Sequence, residues 1–532
     1  MSEPTSSDSQ ASPSLTSWLF VAFAAGAGTM LFELTAPRIM QPYFGSSSFV
    51  WTNVIGVILF ALALGYQFGG KLAHRPRAPR RVAFHLIGAA GCAALIPWLV
   101  PLLSTWLLPA PEASVDATAL RRGLQMGSLV VSLFLFAPPA FLLASVTPQI
   151  VARLAAMPNI DAGRASGLVF GVGTFGSLLG TFLPTYFLIP TVGSRASLLI
   201  AGAFLGLPAA FLLLRGKTQG KTAAALGILL LLSGLGLNGR PLRPALGGES
   251  KLIEYETAYQ YLRLVEAEPV EPALAGETEL LLRIDEGVNE FHSLLLKDAD
   301  TTGGKYYDTF ALLPGLFAAD KAIRIAVLGS GAGTMARLFR TLWDEHVASI
   351  INVEIDPAVI GLEERFGYEK GPHDRSLALD GRAFLAASTQ LYDLIIVDAY
   401  ARQIDIPFHL VTTEFFKLTK KRLAPGGILA LNVSGTDLGQ GLIQSIGRSL
   451  QDGGYEHLRV TPVQWWGNTM MWARPHGPVA WPSAKVFPKN LQSTGRYAAR
   501  FSSDFSPSSE APILRDHHAP VESLTDRWLK GD

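Results

Sequence analysis

Along the first 240 or so positions, apolar residues do not alternate with polar ones. They run on in blocks, and the blocks approach the ~20 residues that carry a helix across a bilayer. Seven such runs stand out, centred on Trp18–Ala36, Val50–Gly69, Val82–Leu103, Gly127–Ile150, Leu168–Leu188, Ala196–Leu214 and Thr222–Leu237. The last is short. Residues 1–15, rich in Ser and Pro and without Lys or Arg, read as a disordered tail rather than a cleavable signal peptide, whose basic start is missing. The reading is a membrane domain over residues 16–240.

From about Ser250 the pattern changes. "YQYLRLVE" and "TELLLRID" read as strands, followed by "FHSLLL", which predicts a small β cap over residues 250–310. Beyond it short apolar runs alternate with amphipathic ones. Ile323–Leu328 reads as a strand and Thr334–Leu342 as a helix. Ile350–Glu354 is a strand and Pro357–Phe366 a helix. "LALD" is a short strand, Leu394–Val397 a strand, Thr413–Leu423 a helix and Ile428–Val433 a strand. This alternation predicts a doubly wound α/β domain over residues 311–532, with a parallel sheet and ligands at the carboxyl ends of its strands.

Composition agrees with a membrane half. Hydrophobic residues make up 49% of the 532 and charged residues 16%; mean hydropathy is +0.29. The net charge of +1 gives no bulk attraction for nucleic acid. The lone cysteine, Cys92, excludes an intrachain disulfide and a cysteine-cluster metal site. No histidine–carboxylate group has metal-ligand spacing, and His517 and His518 read as a solvated loop, so no metal is expected.

The basic loop Lys71–Arg81 places that connection, and with it the N-terminus, in the cytoplasm. "RGKTQGK" after the sixth run agrees. Glu33 and Arg38, in "LFELTAPRIM", stand at the end of the first run. Such residues mark either a functional path or an interfacial anchor, and the anchor is the preferred reading. Gly167, Gly171, Gly176 and Gly180 form a small-residue face, read as helix packing.

The α/β half carries the candidate chemistry. Its first strand runs into Gly329, Ser330, Gly331, Ala332 and Gly333. No Gly-Lys-Ser/Thr follows, which argues against a nucleoside triphosphate. The G-x-G-x-G spacing is tighter than a nicotinamide dinucleotide loop requires. Glu354 ends the second strand, about 20 residues past the last glycine, where a ribose-binding acid is expected. Asp380 ends the third and Asp398 the fourth. A carboxylate accepts hydrogen bonds only, so it suits ribose hydroxyls or an amino group. Each acid alone has an alternative reading as a helix cap. Together they favour an adenosyl ligand, S-adenosylmethionine or its decarboxylated form.

Residues Tyr259 to Glu522 resemble the spermidine synthase family, the polyamine aminopropyltransferases. The matching pieces are "YQYLRL", "KYYDTFALLPGL", "IAVLGSGAGT", "NVEIDPAVI", "LALDGRAFL", "YDLIIVDAY", "FHLVTTEFFKLTKKRLAPGGILALNV" and "DHHAPVESL". The first half, notably "FELTAPRIMQPYFGSSSFVWTNVI", resembles the membrane part of bacterial proteins in which such a domain precedes a spermidine-synthase-like one. The resemblance implies that Glu354 holds the ribose hydroxyls and Asp380, beside Gly381, the adenine amino group. It further implies that Gly329, Gly331 and Gly333 admit the donor and that Asp398 lies at the reacting end.

Two departures bear on the acceptor. The family usually carries an aspartate where this chain has Ala332, and a second, the base for the attacking amine, where it has Ala401. Tyr307, Asp308, Tyr400 and Asp405 are the nearby candidates to take over. The reading is therefore a membrane-anchored transferase that uses an adenosyl-sulfonium donor and a small-molecule amine, with an altered acceptor site. Its alternatives are a methyltransferase on the same pocket, and a non-catalytic sensor or transporter. A homo-oligomer is left open. Seven spans put the soluble domain outside the cytoplasm, whereas supply of a cytosolic donor favours the cytoplasmic side; the expectation leans to the latter.

Overall fold

A computed structural model describes residues 13–45, 48–107, 117–213, 234, 240–245, 248–269, 271, 274–284, 291–400, 406–463, 467–521 and 523–525. The chain forms two compact units, Met1–Pro244 with Glu256–Tyr261, and Ala245–Tyr255 with Leu262–Asp532.

The first unit is helical: α1 (Leu15–Phe44), α2 (Ser48–Leu72), α3 (Ala78–Leu107), α4 (Ala117–Leu135), α5 (Ala137–Ala155), α6 (Ala162–Leu183) and α7 (Ile189–Leu213). Among the described residues, four helical segments are by length and composition able to cross a membrane. A bent pair, Gly123–Leu135 with Ala137–Ala155 at 44°, makes a fifth. The fourth run expected from the sequence is thus not one straight helix. Pro138 and Pro139 follow the break and cannot donate the backbone bonds a continuous helix requires. The longest segment, Ala162–Leu213, has 52 residues, more than twice the length a bilayer needs. It breaks at Gly193, whose φ of 79° and ψ of 169° are not helical. The fifth and sixth runs are the two arms of this segment. The seventh run, Thr222–Leu237, lies outside the described residues apart from Gly234.

The helices pack around two layered cores. One gathers Trp18 and Val21 of α1, Val82 and Leu86 of α3, Ile150 and Leu154 of α5, Ala165 and Val169 of α6, and Leu212 and Leu213 of α7. The other gathers Phe32 to Phe44 of α1, Val50 to Ala61 of α2, Ile96 and Val100 of α3, Val131 and Leu135 of α4, and Leu198 of α7. The glycine face of α6 is half as expected. A Cβ on Gly176 or Gly180 would stand 2.1 Å from the carbonyl oxygen of Phe23 or Ala27 in α1, whereas Gly167 and Gly171 face open space. Because α1 continues to Phe44, Glu33 and Arg38 lie within the helix and not at its end; the Arg38 guanidinium donates to Gln41 Oε1 at 3.4 Å.

In the second unit β1 (Glu249–Glu256), β2 (Tyr261–Ala267), β3 (Glu279–Ile284) and β4 (Ser293–Leu296) form a four-stranded sheet in that order. After it come α8 (Tyr306–Phe310), β5 (Ile323–Leu328), α9 (Thr334–Trp343), β6 (Val347–Glu354), α10 (Pro357–Ile360), β7 (Arg375–Ala378), α11 (Gly381–Ala387), β8 (Tyr392–Val397), α12 (Thr413–Arg422) and β9 (Leu423–Ser434). The chain then adds α13 (Gly441–Asp452), β10 (His457–Val463), β11 (Asn468–Arg474), α14 (Gln492–Phe501) and β12 (Ser503–Asp504).

The large sheet has the order β12-β10-β11-β9-β8-β5-β6-β7. Strands β7, β6, β5, β8 and β9 are parallel, as the sequence pattern predicts. Strands β10, β11 and β12 extend it antiparallel, so the sheet is mixed. Alternate residues of the central strands enter opposite cores. Ile325, Val327, Leu394 and Ile396 face one way; Ala326, Leu328, Ile395 and Val397 face the other. Burial on both faces explains why these strands read as unbroken apolar runs. The expected helix 357–366 is interrupted: α10 ends at Ile360 and a 3-10 turn covers Glu363–Phe366.

Candidate functional site

The central parallel strands end side by side, and their ends carry the candidate residues. The loop after β5 turns through three glycines in the left-handed region, with φ of 78° at Gly329, 54° at Gly331 and 82° at Gly333. Side chains at Gly329 and Gly331 have no room. A Cβ on Gly329 would stand 2.4 Å from Ala399 Cα, and one on Gly331 2.5 Å from Ser293 Oγ.

Every amide of this loop already has a protein acceptor. Gly329 and Ser330 donate to the Val353 carbonyl at 2.8 and 3.2 Å, and Gly333 to the Ser330 carbonyl at 3.1 Å. Gly331 donates to Glu354 Oε2 at 3.1 Å and Ala332 to Ser293 Oγ at 2.7 Å. A phosphate-binding loop points its amides at the ligand. These five point at the protein, which suits a ligand packed against the glycines rather than a phosphate cradle.

Glu354, at the end of β6, is half-buried. It takes the Gly331 amide on Oε2 and the Asp356 amide on Oε1 at 3.2 Å. Burial raises its carboxyl above the ordinary range, against the lowering effect of the amides. Asp380 follows β7 and caps α11, accepting the Ala383 amide at 2.9 Å. Gly381 begins that helix, and a Cβ on it would stand 3.1 Å from Leu328 Cβ. The second Asp380 oxygen lies 2.8 Å from His409 Nε2. Burial by itself would raise this carboxyl; the Ala383 amide and His409 outweigh it and hold the group below the usual range.

Asp398 follows β8 and is set differently. Asn432 Nδ2 donates to its Oδ1 at 2.8 Å and Tyr306 Oη to its Oδ2 at 3.2 Å. Desolvation pushes the carboxyl up to about 7, although both donors pull it down. The backbone carbonyl of Asp398 faces the glycine loop, 2.6 Å from where a Gly329 Cβ would be. The Tyr306 hydroxyl is raised well above its ordinary range, by burial first and by the Asp398 charge second. Its ring lies 4.2 Å from that of Tyr307 and stacks on Phe291 at 6.1 Å.

The other acceptor-side candidates are placed less favourably. The Tyr307 hydroxyl donates to the His292 carbonyl at 3.0 Å, so Tyr306, and not Tyr307, reaches Asp398. Asp308 is buried and spent on its own turn. Its Oδ1 takes the Thr302 amide and hydroxyl at 2.8 and 2.7 Å, and its Oδ2 the Gly304 amide at 2.8 Å. Tyr400 Oη donates to the Asn432 carbonyl at 3.0 Å. Asp405 and Ala401 lie outside the described residues. Ala332, where the family pattern has an acid, is fully buried among Leu262, Leu264, Val359 and Phe366. Sequence reasoning missed Tyr306, His409, Asn432 and Ser293. Tyr306 adjoins the chosen Tyr307, His409 and Asn432 both sit in the quoted "FHLVTTEFFKLTKKRLAPGGILALNV", and Ser293 sits in the quoted "FHSLLL". Among the described residues no group of three or more His, Cys, Asp or Glu is placed to hold a metal.

Residues 306–470 match the spermine/spermidine synthase domain. A probable polyamine aminopropyl transferase of Bifidobacterium longum is 34% identical over 255 residues, 44% of this chain and 55% of that one. The chain thus spans about half the length of that relative. Polyamine aminopropyltransferase 1 of Streptomyces coelicolor is 24% identical over 461 residues, 82% of this chain and 79% of that protein. Among solved structures, a probable spermidine synthase from Corynebacterium glutamicum superposes with a TM-score of 0.36 at 18% identity, covering 52% of this chain and 99% of that one.

Proposed function

We propose, for a chain that belongs to the spermidine synthase-like aminopropyltransferases, that the α/β unit transfers an alkyl group from an adenosyl-sulfonium donor to a small amine. We further propose that the helical unit anchors it in a membrane. Glu354 receives the ribose hydroxyls, Asp380 and Gly381 the adenine edge, and Asp398 with Tyr306 the reacting end. In the step itself the amine nitrogen bonds to the carbon beside sulfur and the carbon–sulfur bond breaks. The electron pair leaves on a neutral thioether nucleoside, and the amine gives one proton to the Asp398 carboxylate. The observation that carries the reading is Asp398, which sits beside the glycine turn with an affinity for protons near neutrality. A general base works best when its pKa lies close to the working pH.

The donor is decarboxylated S-adenosylmethionine in this reading, and the acceptor side is altered. Asp308 is committed to its turn, and alanine stands at positions 332 and 401. A polyamine carries several charges whose desolvation calls for carboxylates, so putrescine should be a poor acceptor. The membrane reading is supported by large apolar side chains left exposed along the helices, among them Phe60, Phe134, Phe175 and Phe187.

Purified full-length protein, given decarboxylated donor and putrescine, tests this by mass spectrometry. Methylthioadenosine should form slowly, and Ala401→Asp should speed it. S-adenosylhomocysteine from S-adenosylmethionine would favour methyl transfer, and no turnover with retained nucleoside binding would favour a sensor. Rapid spermidine formation by the unaltered protein, at the ~1–10³ per second usual for enzymes, would overturn the altered acceptor site.

A further inference from the structure

The described residues flanking the seventh apolar run stand at opposite ends of the helical bundle. Leu212 and Leu213, the end of α7, pack with Trp18 at the start of α1 and Leu154 at the end of α5. Arg240 to Arg243 are held at the other end of α1. Tyr43 Oη donates to the Leu242 carbonyl at 2.6 Å, and Arg243 Nη1 to the Pro42 carbonyl at 2.8 Å. Arg195, at the start of α7, donates to the Pro241 carbonyl at 2.7 Å. Between Leu213 and Arg240 the chain therefore passes from one end of the bundle to the other.

The remaining crossings follow from the same two cores. Helices α1 and α3, the bent pair α4–α5, and α7 each contribute to both cores. Helix α2 starts in the second core and runs along α5, its Gly65 and Gly69 against Phe141 and Ser145. Helix α6 starts in the first and runs along α1, its Gly176 and Gly180 against Phe23 and Ala27. The break at Gly193 returns the chain, since the start of α6 and the end of α7 share one core. Six crossings bring Leu213 back to the end where α1 began, and Arg240 stands at the other end, so the number of passages before the α/β unit is odd.

Charge orients the bundle. Among the described residues, loops at the end holding Trp18 and Leu213 carry Lys71, Arg75, Arg77, Arg80 and Arg81, with Arg153 and Arg164, and the sequence after Leu213 continues as LRGKTQGK. The opposite end has six: Arg38, Arg121, Arg122, Arg195, Arg240 and Arg243. All three lysines of the first 244 residues lie in the first of these loops or in the sequence that follows Leu213. Retention of Lys and Arg on the cytoplasmic side makes that end cytoplasmic.

We infer that the chain leaves the bundle on the extracytoplasmic side and that the α/β unit works there. The inference rests on the membrane reading and not on the chemistry proposed above, and it reverses the cytoplasmic expectation drawn from donor supply. Combined with the proposed chemistry, it requires a preceding step that moves a sulfonium nucleoside across the membrane, and an acceptor amine from the cell envelope.

Two single-cysteine proteins in a Cys92→Ala background test it: Ser509→Cys, on the exposed surface of the α/β unit, and His74→Cys, in the exposed basic loop. Spheroplasts are treated with a membrane-impermeant maleimide before and after permeabilisation. Ser509→Cys should label at once and His74→Cys only after permeabilisation. The reverse result, or equal behaviour of the two, overturns the odd number of crossings. A fluorescent protein that matures only in the cytosol, fused after Asp532, gives a second readout if a variant misfolds: darkness is expected, and brightness overturns the inference. Recovery of the unaltered protein without detergent would instead sink the membrane reading on which the inference stands.

Discussion

On the proposed donor side of the site, Glu354 and Asp380 take hydrogen bonds mainly from nearby backbone: Asp356 two residues on, Ala383 three residues on, and Gly331 in the loop that β5 feeds. At the proposed reacting end, Asp398 is held by side chains 92 and 34 residues away, those of Tyr306 and Asn432. The proton affinities differ accordingly. Asp380 is held low, while Asp398 is pushed up to about 7. Asp380, held low by the Ala383 amide and His409, stays ionised and suits fixed recognition, whereas burial raises Glu354 despite its two amides. A desolvated carboxylate with two side-chain donors is poised to exchange a proton. The strand ends thus offer two chemistries, and the balance of burial against hydrogen-bond donors at each acid decides which.

The sharpest way to break this comparison is Asp398→Asn. If Asp398 takes the proton, turnover should fall by ~10²–10⁴, the usual worth of a general base, while donor affinity in calorimetric titration stays unchanged. Stability should move the other way. Because the folded pKa is raised above 3.8 to about 7, the folded state binds the extra proton between those values. The wild type therefore loses stability as pH climbs through that window, and the loss levels off above 7. Asp398→Asn lacks this penalty, so its melting temperature should exceed that of wild type at pH 8, with the gap closing toward pH 4. A variant less stable at every pH, with activity merely halved, would make Asp398 a structural residue.

Glu354→Gln probes the other side. It keeps the shape and removes the charge that faces the Gly331 and Asp356 amides. Donor binding should weaken by roughly 1.5–3 kcal/mol, the range for hydrogen bonds to a charged group, with the rate at saturating donor little changed. Unchanged affinity for donor and for product nucleoside would remove Glu354 from the site.

Tyr306→Phe sharpens the contrast within the reacting end. Losing its hydroxyl deprives Asp398 of a donor that lowers its pKa, so the rise of rate with pH should move to higher pH. At pH 7 the rate should drop roughly 2–10-fold, as one hydrogen bond of about 0.5–1.5 kcal/mol implies. Tyr307→Phe, whose hydroxyl serves the His292 carbonyl, should leave the pH profile in place. Equal profiles for the two variants would show that the Tyr306–Asp398 bond does not tune the base.

The same contrast explains what the sequence could reveal. The parallel strands were legible because burial on both faces writes unbroken apolar runs, and the positions of the acids at the strand ends because each closes or follows such a run. The antiparallel strands β10 to β12 were not, since their pairing joins segments with no fixed spacing. Tyr306 and Asn432 were hidden for a related reason: only the closed sheet brings α8 and β9 to Asp398. Asp308 was named for its nearness to the matched motifs, and only the fold shows its oxygens closing a turn with Thr302 and Gly304. In the helical half, apolar runs located the helices but not their bends, which depend on Pro138, Pro139 and Gly193 acting inside a packed bundle.

The smallest expected effect belongs to His409, the one side-chain partner on the donor side. Its Nε2 meets the Asp380 oxygen that the Ala383 amide leaves free, so it aims the carboxylate without touching the glycine loop. Asp380 contributes stability through its lowered pKa, present above the unfolded value of 3.8 and lost as pH falls through the folded one. Both partners are about one-third exposed, with side-chain accessibilities of 34% and 35%, so solvent screening trims the pair to at most about 1 kcal/mol. His409→Gln retains a donor and should bind the adenosyl group almost as wild type does. His409→Ala should weaken binding by roughly 2–5-fold, in line with a pair of that worth, leaving turnover at saturating donor intact. The discriminating reading is ligand choice. If His409 orients Asp380 toward the adenine amino group, His409→Ala should narrow the preference for adenosyl over inosyl nucleosides in titration. A loss shared equally by both nucleosides would reduce His409 to a support of the α11 cap.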